Sequence, residues 1–429
     1  MTQDVLTTDD PLYEELYDVR REAESIGNLV ERDVMDDIHA LRAQAPVHKG
    51  KLREILGLPE HLRHIKAAGR QHYTVLSYDA CEKAFRDPEL FSNAVQGMPN
   101  PENKLTMGIL EMDPPMHRAY RRTIQPKFLM PEAVGWWRER TIDSIIERLI
   151  DRMGANDRAE LNIDYCARIP VYTITTAIGL DGDEALRFRH AYLHSTSQSR
   201  NTTMEDRIKN AKIVEDTLLN LINSRRESPQ DDLITYLLTS TLRMPGEQPR
   251  RLTDEEIMTH AKLVMVAGGG TSWRQMGITL LALLTHPQQF EEIKANRDLI
   301  DDAIEEGLRW NPTAPYFYRL VTRNTEFFGH QLQEGDIIEL GLGPANRDPS
   351  RWDNPDVFDM HRPKLTNMAF GLGTHRCLGM NVARVEINRG INALLDAFPN
   401  FRLDPDAEVP FMTGGLEQRG PSGLPVLLR

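Results

Sequence analysis

The sequence predicts a mainly α-helical fold that carries small β-sheets. Apolar residues recur at helical spacing through most of the stretch from about Pro115 to Pro312, which indicates a core of packed helices. Strand-like runs are short and fall outside that stretch, at His72 to Leu76, Leu320 to Phe328 and Asp336 to Leu340. The helices therefore form the body of the domain, and the strands form minor sheets.

The remaining segments complete this organisation. A helical pattern from about Gly379 to Phe398 and a strand candidate at Leu424 to Leu428 follow a loop from Gly343 to Asn367 that is rich in Pro, Asp, Asn and Arg. Loops of that length are uncommon unless they serve a function. No repeat or low-complexity linker divides the 429 residues. We expect one domain over residues 1–429, of which residues 1–30 are a poorly ordered N-terminal extension.

Composition and charge narrow the class of protein. With 40% hydrophobic and 27% charged residues the chain has the composition of an ordinary globular protein, and its net charge of −13 disfavours binding to nucleic acid or anionic membranes. The acidic N-terminal residues lack the apolar run of a signal peptide. The most apolar stretch, Leu263 to Leu284, is interrupted by three glycines, Arg274 and Gln275, which suits a buried helix and not a lipid span. We therefore expect a cytoplasmic protein without a membrane anchor.

Three cysteines, Cys81, Cys166 and Cys377, are too few and too far apart for a disulfide framework or a zinc ribbon. Cys377 lies within Phe-Gly-Leu-Gly-Thr-His-Arg-Cys-Leu-Gly, residues 370–379. The glycines allow tight turns and close approach to a flat ligand, while a helix start and Arg376 favour the thiolate over the thiol. From the residues alone, a metal-ligating thiolate and a small buried cysteine in a glycine-rich turn both remain open.

A long helix is marked at its start by Thr253 and Glu256, which form a capping-box pattern, and its apolar residues continue to about Leu284. The three glycines 268–270 fall in its middle. Three glycines in place of alanine cost roughly 3 kcal/mol of helix stability. Close approach of a bulky planar group and close packing of another helix each explain that cost, and both explanations stay open.

Two pairs of side chains lie at helical spacing. Glu306 and Arg309 are spaced i, i+3 and can pair on one helix face, which in water contributes about 0.2–0.5 kcal/mol and suits an ordinary surface pair. His117 and Arg121 are spaced i, i+4 on a helix that Pro115 is well placed to start. These two side chains can grip a carboxylate or belong to a solvated basic helix face.

Residues 370–379 resemble the cysteine-ligand loop of cytochrome P450s, Phe-Gly-x-Gly-x-His-x-Cys-x-Gly, at every defining position. The resemblance extends over about residues 70–429 with the motifs in the family's order: Asp-Pro-Pro and a basic helix, the glycine-broken helix, ExxR, Asn-Arg-Asp-Pro and the cysteine loop. It implies the P450 fold, a helix-rich triangular prism that encloses haem b, iron protoporphyrin IX. It also implies that the Cys377 thiolate binds the iron.

The resemblance gives roles to further residues. Those implied to lie against the haem belong to the cysteine loop and the glycine-broken helix: Phe370, Gly371, Gly379 and Gly268. Those implied to bind the haem propionates are basic: His117, Arg121, Arg319 and His375. Those implied to form a structural network behind the cysteine loop are charged: Glu306, Arg309 and Arg362. Those implied to face the substrate are apolar or aromatic: Leu263, Val266, Ala267, Ala314, Phe317 and Met412.

The segment 267–272, Ala-Gly-Gly-Gly-Thr-Ser, resembles the oxygen-binding segment of P450s, which usually reads Ala/Gly-Gly-x-Asp/Glu-Thr-Thr/Ser. Thr271 and Ser272 are then the catalytic hydroxyls that handle protons. Gly270 stands where the family usually has Asp or Glu, so one carboxylate expected in proton delivery is missing. Water held by the hydroxyls or by backbone groups must replace it, unless the enzyme takes peroxide or performs a rearrangement that needs no delivered protons.

The leading function implied by the resemblance is a monooxygenase of the soluble bacterial type. It is expected to insert one oxygen atom from O2 into a hydrophobic small molecule, by hydroxylation or oxidative dealkylation, and to act as a monomer. Electrons are expected from a separate ferredoxin or flavodoxin that docks on a basic patch: Arg118, Arg122, Lys127 and Arg376. The alternatives are a peroxide-driven or rearranging haem-thiolate enzyme, which Gly270 supports, and a non-catalytic haem-binding protein.

Overall fold

The computed structural model describes residues 17–59, 69–97, 108–196 and 202–429. In these ranges the fold is helix-rich with small sheets, so the predicted fold class is confirmed. The helices are α1 Val19–Ser25, α2 Met35–Gln44, α3 Leu52–Ile55, α4 Tyr78–Arg86, α5 Met116–Ile124, α6 Pro126–Leu129, α7 Pro131–Trp137, α8 Asp143–Met153, α9 Arg168–Ile178, α10 Gly182–Thr196, α11 Met204–Glu227, α12 Leu233–Thr239, α13 Asp254–Thr285, α14 Pro287–Ala295, α15 Ile300–Trp310, α16 Leu342–Asn346 and α17 Met380–Ala397.

The strands form one larger sheet and several small ones. They are β1 Val47–Lys49, β2 His72–Val75, β3 Phe91–Ser92, β4 Arg158–Glu160, β5 Thr241–Leu242, β6 Arg250–Arg251, β7 Tyr316–Val321, β8 Thr325–Phe327, β9 His330–Leu332, β10 Ile337–Gly341, β11 Arg402–Leu403, β12 Met412–Gly414, β13 Arg419–Pro421 and β14 Pro425–Leu427. The main sheet has the order β1–β2–β10–β7–β3, in which only β2 and β10 run parallel. A second sheet has the order β11–β14–β4, and β5–β6, β8–β9 and β12–β13 are two-stranded.

Helix α13 is the element around which the helical core is assembled. Its N-terminus carries the predicted capping box: Thr253 accepts the N–H of Glu256, and the Glu256 carboxylate accepts the N–H of Thr253. The helix packs against α9, α15, α17 and the β12–β13 hairpin. Like every helix in the described ranges, it is not apolar enough over sufficient length to cross a membrane.

The N-terminal segment includes a helix that packs on the rest of the fold. The Asp18 carboxylate accepts two backbone N–H groups and starts α1. Val19 and Ala23 are buried, and α1 packs against the β12–β13 hairpin. The predicted poorly ordered extension over residues 1–30 stays a prediction, although it includes this helix of seven residues, which is too short to show a clear apolar period in the sequence. The first sixteen residues of that predicted extension lie outside the described residues.

The strand predicted over Leu320 to Phe328 is two strands in the structure. β7 ends at Val321, and β8 pairs with β9 instead of the main sheet. Asn324 lies at the break, where its side-chain oxygen accepts the N–H of Glu334 and turns the chain away from the sheet. The other predicted strands and the final helix differ from the structure by one or two residues at their ends.

Candidate active site

The cysteine loop is a tight backbone turn that precedes α17. The N–H of Cys377 donates to the carbonyl of Phe370 at 2.8 Å. Gly371 and Gly373 have φ of +65° and +67°, a region that favours glycine. A Cβ at Gly373 would lie 2.5 Å from the carbonyl oxygen of Phe85. Glycine at these positions therefore lets the loop turn and pass close to the end of α4.

Cys377 differs from the other two cysteines in access. Its side chain is exposed, whereas Cys81 and Cys166 are fully buried. Burial raises the pKa of the Cys81 and Cys166 thiols far above the ordinary value. Burial also raises the pKa of Cys377, although its side chain is accessible. Of the three cysteines, Cys377 therefore has the access that a metal-binding thiolate requires.

Several groups around Cys377 oppose the effect of burial. The N–H groups of Gly379 and Met380, at the start of α17, donate to the sulfur, and Arg121 and Arg384 bring positive charge towards it. The pKa of the thiol remains above its ordinary value because burial outweighs these groups. Helix N-termini and cations stabilise a thiolate, so the same groups suit a sulfur whose negative charge is shared with a metal ion.

Four basic side chains, here called the basic cluster, converge beside the loop: His117 and Arg121 on α5, Arg319 on β7, and His375. The ring centroids of His117 and His375 are 4.2 Å apart. Both ring nitrogens of His117 and Nε2 of His375 are buried without a hydrogen-bond partner among the described residues. Buried polar groups without partners cost free energy. The cluster therefore suits an anionic ligand with several acceptor oxygens.

The pKa values of the basic cluster indicate the same shortage of negative charge. Burial, followed by Arg121, lowers the pKa of His117 to about 4. Burial, followed by His117, lowers the pKa of His375 to about 3. Burial lowers the pKa of Arg319 to about 10, and Asp113 only partly offsets this. The two propionates of a haem would supply both the missing charge and the acceptor oxygens.

Glu306 and Arg309 on α15 form a buried, bidentate ion pair. Arg309 donates to the two carboxylate oxygens from Nε and Nη2, at 2.7 Å each, and Arg362 donates to Oε1 from Nε at 3.4 Å. Their side chains are only 5% and 3% exposed, so the alternative of a solvated surface pair is wrong. The remaining Arg309 N–H groups donate to the backbone carbonyl of Asn346, the last residue of α16, and to those of Pro355 and Val357 in the loop that follows.

Asn346 joins this charged network to the cysteine loop. Its carbonyl oxygen accepts from Arg309, and its side-chain oxygen accepts the N–H of Met368 at 2.7 Å. Met368 and Leu372 pack in the apolar cluster of the main sheet and α4. The long irregular loop noted in the sequence therefore serves to hold the cysteine loop against the sheet.

Thr271 and Ser272 follow the glycine segment of α13 but have different surroundings. Thr271 donates its hydroxyl to the carbonyl of Ala267 one turn earlier, at 2.9 Å, and Ala267 is exposed. Ser272 is buried and forms a hydrogen bond with Glu386 on α17. The structure thus places Thr271 at the accessible face of the helix and Ser272 in the helical core.

The three glycines of α13 have separate explanations. A Cβ at Gly268 would lie 2.4 Å from Cδ1 of Ile174 on α9, so the missing side chain makes room for α9. Close packing of α9 accounts for the missing side chain at Gly268, and the position of this glycine beside the haem stays a prediction. At Gly269 a Cβ would make only ordinary contacts, and at Gly270 it would lie 3.2 Å from Nη1 of Arg274.

The six residues predicted to face the substrate differ in their surroundings. Val266 lines a cavity of about 210 Å³ to which α1, α10 and α13 contribute. Phe317 and Met412 are half-buried and pack against the apolar cores. The other three differ in exposure: Ala267 is exposed, Leu263 is buried, and Ala314 is half-buried.

Glu386 is a site residue that the sequence analysis missed. It is buried beside Ser272, and burial raises the pKa of its carboxyl to about 8, against a smaller lowering by the hydroxyls of Ser272 and Thr173. The available signal was a glutamate on the apolar face of α17, next to Ile387. Such a position requires a polar partner or a neutral carboxyl.

The comparisons with known proteins agree with this geometry. The family model described as "Cytochrome P450" matches residues 185–418. The putative cytochrome P450 YjiB of Bacillus subtilis (strain 168) is 30% identical over 337 residues, 77% of this chain and 83% of the relative. The cytochrome P450 monooxygenase PikC of Streptomyces venezuelae is 28% identical over 375 residues, 85% of this chain and 83% of the relative. The solved structure of cytochrome P450 PksS from Bacillus subtilis 168 has a TM-score of 0.79 at 25% identity and covers 92% of this chain and 97% of PksS.

An accessible cysteine in a glycine-rich loop, beside a buried basic cluster on a helix-rich fold, defines the class of proteins that bind haem through a thiolate. The chain belongs to the cytochrome P450 family, and its relatives identify it as a haem-containing P450 monooxygenase. The predicted family and enzyme class are confirmed.

Proposed function

We propose that this P450 binds haem b through Cys377 and inserts one oxygen atom of O2 into a hydrophobic small molecule in the cytoplasm, with electrons from a separate ferredoxin or flavodoxin. One observation carries the proposal. An accessible thiol lies beside a basic cluster in which three buried imidazole nitrogens, two of His117 and one of His375, lack hydrogen-bond partners among the described residues. The sulfur fits the iron, and the basic cluster fits the two propionates.

The residues of the site have distinct tasks in this proposal. The haem, when bound, supplies the activation of dioxygen. Cys377 binds the iron, and the basic cluster orients the macrocycle and neutralises its carboxylates. Thr271 holds and passes a proton at its hydroxyl oxygen, which lies on the accessible face of α13 next to Ala267. Gly371 and Gly373 keep the cysteine loop in the turn that presents the sulfur.

The lining of α13 and the relatives support an apolar substrate. Val266 is 37% exposed and Ala267 is exposed, although most of α13 is buried. The vitamin D3 dihydroxylase of Streptomyces griseolus is 29% identical over 392 residues, and the steroid C26-monooxygenase of Mycolicibacterium smegmatis is 29% identical over 362 residues. Apolar walls bind apolar ligands by removing their surface from water. Hydroxylation or oxidative dealkylation of such a molecule fits both observations.

Exposed cations beside the cysteine loop support an acidic electron donor. Arg118 and Arg122 on α5 line an open cleft together with Gly373 and Thr374 of the loop, and Arg376 is exposed. Lys127, the fourth member of the predicted patch, instead lies 4.4 Å from the ring centroid of Trp136. A cluster of like charge steers an oppositely charged protein to the surface that carries it.

The test is turnover of the purified holoprotein on a panel of apolar compounds. We expect product only with O2, a ferredoxin or flavodoxin and its reductase. Thr271→Ala should lower product per electron about tenfold or more and raise hydrogen peroxide, because a hydroxyl that positions protons is lost. Thr285→Ala is the matched control, since Thr285 makes the same bond to the carbonyl one turn earlier in α13.

Gly270 favours one competing function. Without an acid at this position, a P450 driven by peroxide or one that rearranges its substrate needs no proton delivery through α13. Turnover of the wild type with peroxide alone, or with no oxidant and no donor, at rates equal to the donor-supported rate would overturn the proposed function in favour of this one.

A further inference from the structure

The space beside Gly270 is taken by an arginine from the same helix. Arg274 lies one turn further along α13, and its Nη1 donates to the carbonyl of Gly270 at 2.5 Å. A Cβ at position 270 would lie 3.2 Å from this nitrogen. Glycine at position 270 therefore leaves room for a guanidinium group on the backbone of the segment that precedes Thr271.

This guanidinium group is paired with a carboxylate from the other end of the chain. Nη2 of Arg274 donates to Oε2 of Glu22 on α1, and the two side chains are 3% and 23% exposed. A buried guanidinium group requires a nearby anion, because an unpaired buried charge is strongly destabilising. Arg274 thus connects the Glu22 carboxylate to the backbone at Gly270, where this chain has no acidic side chain of its own.

Helix α1 is fixed in the position that brings Glu22 to Arg274. The ring centroids of Tyr17 and Trp273 are 6.2 Å apart in an edge-to-face arrangement. A Cβ at Gly420 would lie 3.0 Å from Val19, so glycine there allows α1 to lie directly on the β12–β13 hairpin. These two contacts, both on the N-terminal side of Glu22, are independent of the ion pair itself.

A cavity links the carboxylate to the glycine segment. Its volume is about 210 Å³, and its walls include Glu22, Gly269, Gly270 and Arg274. The other carboxylate on its wall, Glu417, accepts a hydrogen bond from Asn28 and another from Tyr318. A cavity of this size, with the polar groups of Glu22, Arg274 and Glu417 on its wall, has room for several water molecules. The two glycines leave the backbone of α13 open to that water, and the partial exposure of Glu22 opens it to solvent.

We propose that Glu22 is the carboxylate through which protons reach the glycine segment of α13, in place of the acid that is absent at position 270, and that Arg274 is its positioning residue. The proposal rests on the proposed function. A proton passes from solvent to Glu22 and then through water in the cavity to Gly269 and Gly270 on its wall, the residues that directly precede Thr271, and Glu22 is reprotonated from solvent. The carboxylate is unchanged after each turnover, and no further reactant is required.

Glu22→Gln tests the proposal, with Glu24→Gln as the matched control. Glu24 lies on the same helix and pairs with Arg20 at the surface. In the holoprotein with donor and O2, Glu22→Gln should lower product per electron about tenfold and raise hydrogen peroxide, because a proton-carrying group is lost. Glu24→Gln should match the wild type. Glu22→Gln/Gly270→Asp should restore product to within about twofold of the wild type, since it returns a carboxylate to the same place.

Amide hydrogen exchange over residues 268–274, in protein with and without haem, separates proton transfer from support of the fold. Glutamine still offers Arg274 an acceptor oxygen, so exchange in Glu22→Gln should stay within about twofold of the wild type. Faster exchange combined with no rescue by Gly270→Asp would assign Glu22 a structural role only and overturn the proposal. Normal wild-type turnover with equal coupling in Glu22→Gln and Glu24→Gln would overturn the role of Glu22 alone. Wild-type turnover that needs no donor would overturn the proposed function and, with it, the proton role.

Discussion

The two sides of the site, the cysteine loop and the glycine segment of α13, are held by different kinds of interaction. Permanent charges fix the cysteine side, where the buried Glu306–Arg309 pair and Asn346 bind backbone groups of the loop. On the helix side, Gly268 allows α13 to pack closely against α9, and the pKa of the buried Glu386 carboxyl is raised. The carboxylate of Glu22 on α1 pairs there with Arg274.

The cysteine side is the part of the site that any thiolate ligand needs, whereas the helix side can vary in its residues. A cysteine loop must hold one sulfur at one place, so a rigid network of ion pairs and backbone bonds suits it. Proton delivery needs only a polar path, which different residues can provide. The departure at Gly270 accordingly falls on the helix side, while the cysteine side keeps the full motif.

The largest effect is expected from breaking the charged network. Glu306→Ala leaves Arg309 buried without its partner and should cost about 3–5 kcal/mol of unfolding free energy, together with loss of bound haem. Glu291→Ala removes a surface pair with Lys294 at the same i, i+3 spacing and should cost at most about 0.5 kcal/mol. Urea unfolding and haem content measure both variants. Equal losses would mean that the cysteine side is no more rigidly held than the surface.

A pH-dependent effect of intermediate size is expected on the helix side. The pKa of Glu386 is raised from 4.5 to about 8 in the folded protein, so the folded state binds one more proton than the unfolded state between these values. The contribution of Glu386 to the free energy of unfolding is therefore fully present below about pH 4.5 and is lost as the pH rises through about 8. One proton is worth at most about 1.4 kcal/mol per pH unit.

Glu386→Gln removes this dependence while keeping a hydrogen-bonding group beside Ser272. Its stability relative to the wild type should rise by about 2 kcal/mol between pH 5 and pH 8, which is below the limit of about 4 kcal/mol that one proton allows over three pH units. Denaturant unfolding of the haem-free protein at the two pH values is the measurement. An equal stability difference between the variant and the wild type at pH 5 and pH 8 would show that the Glu386 carboxyl is ionised in the folded state. The cysteine side and the helix side would then both be held by permanent charges.

The smallest effect distinguishes two glycines in the same helix. Gly268→Ala should destabilise the protein by about 1 kcal/mol, because overpacking against Ile174 exceeds the gain in helix propensity. Gly269→Ala, which meets no close neighbour, should stabilise it by about 0.5–1 kcal/mol. Thermal unfolding of the two haem-free variants gives the sign of each change. Stabilisation by both would contradict the close packing of α9 and restore the room for haem as the reason for Gly268.

Most features of the cysteine side could be predicted from residues that are close together in the sequence. The loop is ten consecutive residues whose glycines and cysteine have separate physical reasons, and the capping box of α13 joins residues only three apart. The burial of Glu306 and Arg309 could not be predicted from their i, i+3 spacing, because the backbone groups that bind Arg309 lie about 40 to 50 residues further along the chain. The family resemblance provided that part.

Long-range contacts explain what the sequence did not reveal on the helix side. Glu22 and Arg274 are 252 residues apart, and nothing in the short N-terminal helix marks one glutamate as different from its neighbours. The cost of three glycines indicated that something approaches α13 closely, but not that Ile174 meets Gly268 while Arg274 lies against Gly270. Which neighbour approaches is a property of the packed fold.

The central claim, that the Cys377 thiolate binds the haem iron, is tested most directly by the absorption spectrum of the reduced protein with carbon monoxide. The account predicts the strongly shifted Soret band of a thiolate-ligated haem in the wild type and in Cys166→Ala. It also predicts that Cys377→Ala loses this band. A histidine-like spectrum in the wild type, or a thiolate band that survives in Cys377→Ala, would contradict it.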